Sequence, residues 1–338
     1  MSTATLFFSV LAVFLLMAPG FVLRRRGWLS AAGTADLARL VPYAVYPCLI
    51  FTKVVGNFTL SELLAEWVLP TAVFGLMLFG YAAGLVAEAC GVRSVDGNRR
   101  KSFHFQCAFN NYLFLPLPLV GMLFGDKAMG RLILSSLGAE LAIWTLGMFI
   151  LSRTGRGGAV AGNAQRATQN LAQPSHPVLE ALRHLVTPTL IALALAVGVV
   201  TLRDLAGTAW IPGGCTPVWN SLMQAGTLLG AATVPLAMTV AGSSIAQLRL
   251  GELRSPLVWG AGALRLLIVP VAALLILQWL PLAPEARQVL QVVAVMPSAI
   301  ASITFCKVYG GDEHFTTGTV LLTHLMALAT VPLLLALV

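Results

Sequence analysis

Charge is scarce in this chain. Of 338 residues, 21 are Lys or Arg and 13 are Asp or Glu, so 10% of the chain is charged. A soluble domain carries roughly 25%. Residues 1–23, 67–87, 102–125 and 288–306 hold no Asp, Glu, Lys or Arg at all. A helix that spans a bilayer takes about 20 apolar residues. With 58% hydrophobic residues and a mean hydropathy of +0.85, the chain reads as an all-α integral membrane protein. Cysteine is also sparse. Cys48, Cys90, Cys107, Cys215 and Cys306 are odd in number and show no paired or metal-like spacing, which points to small packing residues. No cofactor is implied.

Catalytic motifs are missing as well. There is no Gly-x-Ser-x-Gly, His-Glu-x-x-His or paired-aspartate pattern, so Ser243, Ser244, His104 and His324 have no frame for an intramembrane hydrolase. The chain does not read as an enzyme. A net charge of +8 would suggest nucleic acid in a soluble chain. Here the basic residues lie in short loops beside apolar runs, which is a topology signal.

Ten spans are expected, near 4–23, 36–54, 67–89, 102–125, 130–152, 185–203, 217–242, 255–279, 286–308 and 314–337. The first keeps its positive charges, Arg24, Arg25 and Arg26, after the apolar run, unlike a cleavable signal peptide. With both termini outside, fifteen Lys and Arg fall on the cytoplasmic side. Five fall outside: Lys53, Lys127, Arg131, Arg203 and Arg287. That bias fits the positive-inside rule. Residues 153–183 are rich in Gly, Ala, Gln, Asn and Pro and read as a cytoplasmic linker. It separates a first five-helix repeat (1–152) from a second, inverted one (184–338).

Two spans are interrupted by polar residues and proline. One contains Asn110, Asn111, Pro116 and Pro118 and runs to Asp126. The other contains Pro297, Ser298, Ser302 and Thr304 and runs to Asp312, 186 residues later. A second echo places Pro47 in the second span 188 residues before Pro235 in the seventh. Matching breaks in two halves point to a secondary transporter's binding site. Proline frees the carbonyls before it, and lipid cannot satisfy them. Half-helix N-termini then suit an anionic group. The plainer alternative is a pair of kinked helices whose Asn side chains bond the freed carbonyls.

The runs FNNYLFLPLPLVGMLFGD (109–126), YPCLIF (46–51), VPLAMTVAGSSIAQL (234–248) and VMPSAIASITFCKVYGGD (295–312) resemble helices four, two, seven and nine of the auxin efflux carrier family of permeases. The bacterial malonate and malate transporters of that family are the nearest in kind. The resemblance implies a 5+5 inverted repeat whose fourth and ninth helices cross at unwound midpoints. It implies a moving core of spans three to five and eight to ten, on a scaffold of spans one, two, six and seven. A homodimer in a bacterial cytoplasmic membrane and a small organic anion, a mono- or dicarboxylate, as cargo are implied too. Elevator-type alternating access would move it. Ser298 and Ala299 stand where several relatives carry an Asn near the proline. The implied substrate-binding residues are Asn110, Asn111, Pro116, Pro118, Pro297, Ser298 and Ser302.

Three ionisable residues fall mid-span: Glu140, Arg265 and His324. Each costs about 2.5–3.5 kcal/mol on insertion scales and therefore needs a reason. Arg265 is a candidate counter-charge for a substrate carboxylate or for Glu140. Glu140 and His324 are candidates to carry a coupling proton; Na⁺ coupling lacks an acidic cluster. Structural roles, a Glu140–Arg265 pair and a carbonyl-bonded His324, remain open. An anion channel, or a carrier of the related sodium/bile-acid-symporter-like fold, is the alternative reading, although no filter-like glycine run is present.

Overall fold

The structure, a computed structural model, describes residues 3–91, 97–152, 187–207, 215–247 and 250–338. The expected linker at 153–183 lies outside the described residues. The helices are α1 (Thr3–Leu15), α2 (Ala18–Arg25), α3 (Ala31–Leu40), α4 (Tyr46–Asn57), α5 (Leu60–Ala65), α6 (Val68–Ala89), α7 (Gly97–Ala108), α8 (Pro116–Ala142) and α9 (Met148–Ser152). They continue as α10 (Pro188–Ala206), α11 (Thr216–Ala231), α12 (Thr233–Ile245), α13 (Pro256–Ala263), α14 (Val269–Trp279), α15 (Pro284–Ala294), α16 (Ser302–Val308) and α17 (Glu313–Leu335). Wide π-turns at Val41–Val45, Ile143–Gly147 and Leu264–Ile268 join α3 to α4, α8 to α9 and α13 to α14.

Local chemistry sets the helix starts. Pro116, Pro188, Pro256 and Pro284 open their helices, where the missing N–H is an orphan anyway. Thr59 and Glu62 form a reciprocal capping box on α5, and the Asp312 carboxylate accepts from Phe315 N at 2.9 Å to cap α17. Among the described residues, eight helical stretches are long and apolar enough to cross a membrane. The chain is a multi-pass membrane protein. These stretches fall at eight of the expected spans. The other two, 102–125 and 286–308, are interrupted where α7 stops at Ala108 and α15 stops at Ala294.

The boundary expected at 125 is present: Gly125 (φ 79°, ψ −168°) breaks α8 into two helical segments, and the second begins without an intervening loop. Only a residue without Cβ takes that φ at little cost, so helix can resume at once. The following residue, Asp126, pairs with Lys53 at 2.7 Å.

The helices form two packed groups. In one, α10 and α11 lie on α4, and α12 lies on α2 and α3. Gly20 and Gly242 make the α2–α12 approach possible. A Cβ on Gly20 would sit 1.9 Å from the Thr239 carbonyl oxygen, and one on Gly242 1.9 Å from that of Met17. Small residues at such contacts let backbones pack closely where lipid supplies no hydrophobic drive. In the other group α6 packs on α7 and α8, α15 on α8 and α14, and α17 on α7, α13 and α16. Helices α1 and α4 touch both groups, through α17 and α8 respectively.

Candidate functional site

The two interruptions meet. Asn110 and Ser298 form an isolated antiparallel bridge. Asn111 N donates to Pro297 O at 2.7 Å, and Ala299 N donates to Phe109 O at 3.3 Å. Each break thus supplies backbone partners that the other has lost, which answers the demand that buried main chain be paired. Pro297 lacks an N–H, but its carbonyl accepts from the opposite break. Pro116 and Pro118 are buried in the first turn of α8.

Side chains complete the crossing. Asn110, fully buried, donates through Nδ2 to the Val293 carbonyl. Asn111 Oδ1 accepts from Leu115 N at 3.4 Å. Gln106 Nε2 donates to Ser302 Oγ at 2.7 Å, and Ser302 Oγ donates to Ala299 O. Ser298 N donates to Thr323 Oγ1 at 3.3 Å. Gln106 and Thr323 were not singled out from the sequence. Gln106 had a signal: it is a polar residue in an uncharged run, four positions before Asn110, on the same helical face.

Arg265 sits behind the crossing, fully buried in its π-turn. Its guanidinium donates to Ala294 O at 2.8 Å and, more weakly, to Cys107 O at 3.5 Å. Ala294 ends α15, and Cys107 is the penultimate residue of α7. Both carbonyls are orphans of helix C-termini, where the backbone dipole is negative and favours a cation. A buried charge needs such partners. The Glu140–Arg265 pair considered from the sequence is not formed; among the described residues neither is in an ion pair, and Arg265 does not line the cavity described next.

A cavity of about 850 Å³ lies between the two helix groups. One wall comes from Ala38–Tyr43, the start of α10 and residues 237–247 of α12 and its end. The other comes from the crossing (Phe105–Phe114 and Ala299–Phe305), Glu140, Ile143, Trp144 and the start of α17. Asn110, Asn111 and Ser302 face this space; Pro116, Pro118, Pro297, Ser298, Arg265 and His324 do not line it. His324 is buried in α17, with Nδ1 donating to the Val320 carbonyl at 2.8 Å. Aromatic rings surround the crossing: Phe105 stacks on Phe305 at 6.0 Å, and Trp144 meets Phe305 edge-on at 5.8 Å. Among the described residues no group of three or more His, Cys, Asp or Glu could hold a metal ion.

A roomy, mostly apolar cavity closed at depth by two broken helices, in a multi-pass membrane protein, belongs to proteins that move solutes across bilayers. Residues 5–335 match the family model described as membrane transport protein. The chain therefore belongs to that family, the auxin efflux carriers, and is a transporter. It is also similar to an uncharacterized transporter of Methanocaldococcus jannaschii, with 23% identity over 328 residues covering 96% of each chain. Family and relative are both described as transporters.

Proposed function

We propose that the protein is a secondary carrier for a small organic anion, a mono- or dicarboxylate, bound at the crossing and moved by an elevator-like shift of one helix group past the other. The observation that carries this reading is the position of the cavity: it lies between the two groups, and the crossed breaks of one group form part of its wall. The group containing α6 to α9 and α13 to α17 is the moving core; that of α2 to α4 and α10 to α12 is the scaffold. Asn110, Asn111 and Ser302 grip the cargo. Pro116, Pro118, Pro297 and Ser298 shape the breaks that present them, and Arg265 holds the breaks together from behind.

In this reading the chain forms ten spans in a 5+5 inverted repeat, 1–152 and 184–338, joined by a cytoplasmic linker at 153–183. The cavity walls include the starts of α10 and α17 and the end of α12, near which Arg24 bonds Gln247 at 3.1 Å and Arg99 pairs with Asp312 at 3.0 Å. Arginine-bearing ends mark the cytoplasmic side, which supports reading the cavity as inward-facing with both termini outside. The membrane is the bacterial cytoplasmic membrane, and a homodimer is the working assembly.

The experiment is counterflow in proteoliposomes with radiolabelled malonate, malate, succinate and indole-3-acetate. A carrier saturates and exchanges labelled for unlabelled cargo, whereas a channel does not. Linear, non-exchanging flux sinks the carrier reading.

A further inference from the structure

Glu140 is the unsettled charge of this cavity. It lies near the end of α8 and lines the cavity beside Ile143 and Trp144. Among the described residues no ion pair or hydrogen bond reaches its carboxylate, and burial is what chiefly acts on it. Among the described residues no Lys or Arg lines the same space; the other ionisable lining groups are Tyr43, Tyr112, Glu313 and His314.

The neighbours offer no cation either. On the elements packed against α8, Lys53 of α4 is paired with Asp126, and Glu88 of α6 with Arg100 and His104. On α8 itself Arg131 is paired with Glu66 and Lys127 with Glu62. Glu285 is exposed at the start of α15, and Arg287 donates to Leu280 O. The groups that feel Glu140 directly are the phenols of Tyr46 and Tyr112. Across the cavity Glu313 is paired with Lys307.

An anionic cargo entering here meets the Glu140 carboxylate and, among the described lining residues, no Lys or Arg. Two carboxylates in one apolar space are stable together only when they share a proton. We infer that Glu140 is the coupling site: it takes one proton with each carboxylate cargo, and its acid O–H donates to the cargo's anionic oxygen. The proton comes from the aqueous side to which the cavity is open and leaves on the opposite side when the cargo does. The carrier is therefore a proton/carboxylate symporter. His324, the other mid-span titratable candidate, faces the Val320 carbonyl and does not line the cavity. This inference rests on the carboxylate reading above.

The test uses the full chain in proteoliposomes containing an internal pH dye. The cargo is whichever of malonate, malate, succinate and indole-3-acetate gives the fastest counterflow. Wild-type protein should acidify the lumen as the anion enters. A one-unit inward proton gradient should raise its steady-state accumulation up to about tenfold, the ratio that one proton per anion sustains. In Glu140→Gln the remaining flux should carry no proton and ignore the gradient, while Glu140→Asp and His324→Gln should stay coupled. Wild-type net uptake without proton movement overturns this inference and leaves the carboxylate reading standing. So does gradient-driven accumulation in Glu140→Gln, or loss of coupling in His324→Gln alone. Counterflow of none of the four carboxylates, or of an organic amine in their place, overturns both.

Discussion

The Arg265 guanidinium lies 2.8 Å from the Ala294 carbonyl and reaches Cys107 O on its other side, so one side chain holds the C-terminal ends of two half-helices. An orphaned buried carbonyl costs about 1–3 kcal/mol. Arg265→Leu should therefore lower the thermal midpoint in detergent by at least a few degrees and abolish uptake, although it touches no cavity surface. Arg265→Lys, which keeps the charge but loses the fork, should fall between. An unchanged midpoint in Arg265→Leu would show that the carbonyls find other donors.

Asn110 should behave differently. Its Nδ2 bond to Val293 O is a neutral bond, worth about 1 kcal/mol, but the residue also lines the cavity. Asn110→Ala should cost uptake tenfold or more with only a small change in midpoint. Comparing initial rates with thermal shifts in the same preparation checks the split. Uptake that tracks stability would make Asn110 a structural residue.

The α2–α12 seam predicts a size limit. A Cβ at Gly242 would overlap the Met17 carbonyl oxygen, while one at Gly198 in α10 meets nothing within 4 Å. Gly242→Ala should destabilise by about 1–3 kcal/mol through overpacking. Gly198→Ala should be neutral or stabilising by up to about 1 kcal/mol. Thermal unfolding of the two variants side by side decides it.

Asp312 has two separable jobs. It caps α17 through Phe315 N and pairs with Arg99. Asp312→Ala should lose about 1 kcal/mol from the cap. Asp312→Asn keeps a capping oxygen and should lose less, because the Arg99 partner is partly exposed and such pairs contribute little. Equal losses in the two variants would assign the stability to the ion pair.

The apolar spans and the two breaks were legible because bilayer length and proline chemistry act on local sequence. Asn110, Pro297 and Ser302 stood out for that reason. The break at Gly125 falls where span four was expected to end, but the lack of a loop after it was not legible: Asp126, Lys127 and Gly130 look like a loop, and the positive φ at Gly125 lets helix resume immediately. The partner of Arg265 was equally hidden. Charge arithmetic suggested Glu140, but the guanidinium answers two backbone carbonyls, and main-chain acceptors leave no trace in composition. Thr323 escaped notice because a threonine in an apolar helix usually bonds its own preceding turn, and this one does so while also accepting from Ser298 N.

The bridge between Asn110 and Ser298 is made of main chain. Its register rests on amide and carbonyl groups that every substitution except proline preserves. Side chains at 106, 111 and 302 can then be exchanged without unfastening the frame that displays them. Such an architecture separates holding from choosing, so a lineage can retune its cargo by point changes around a fixed peptide knot.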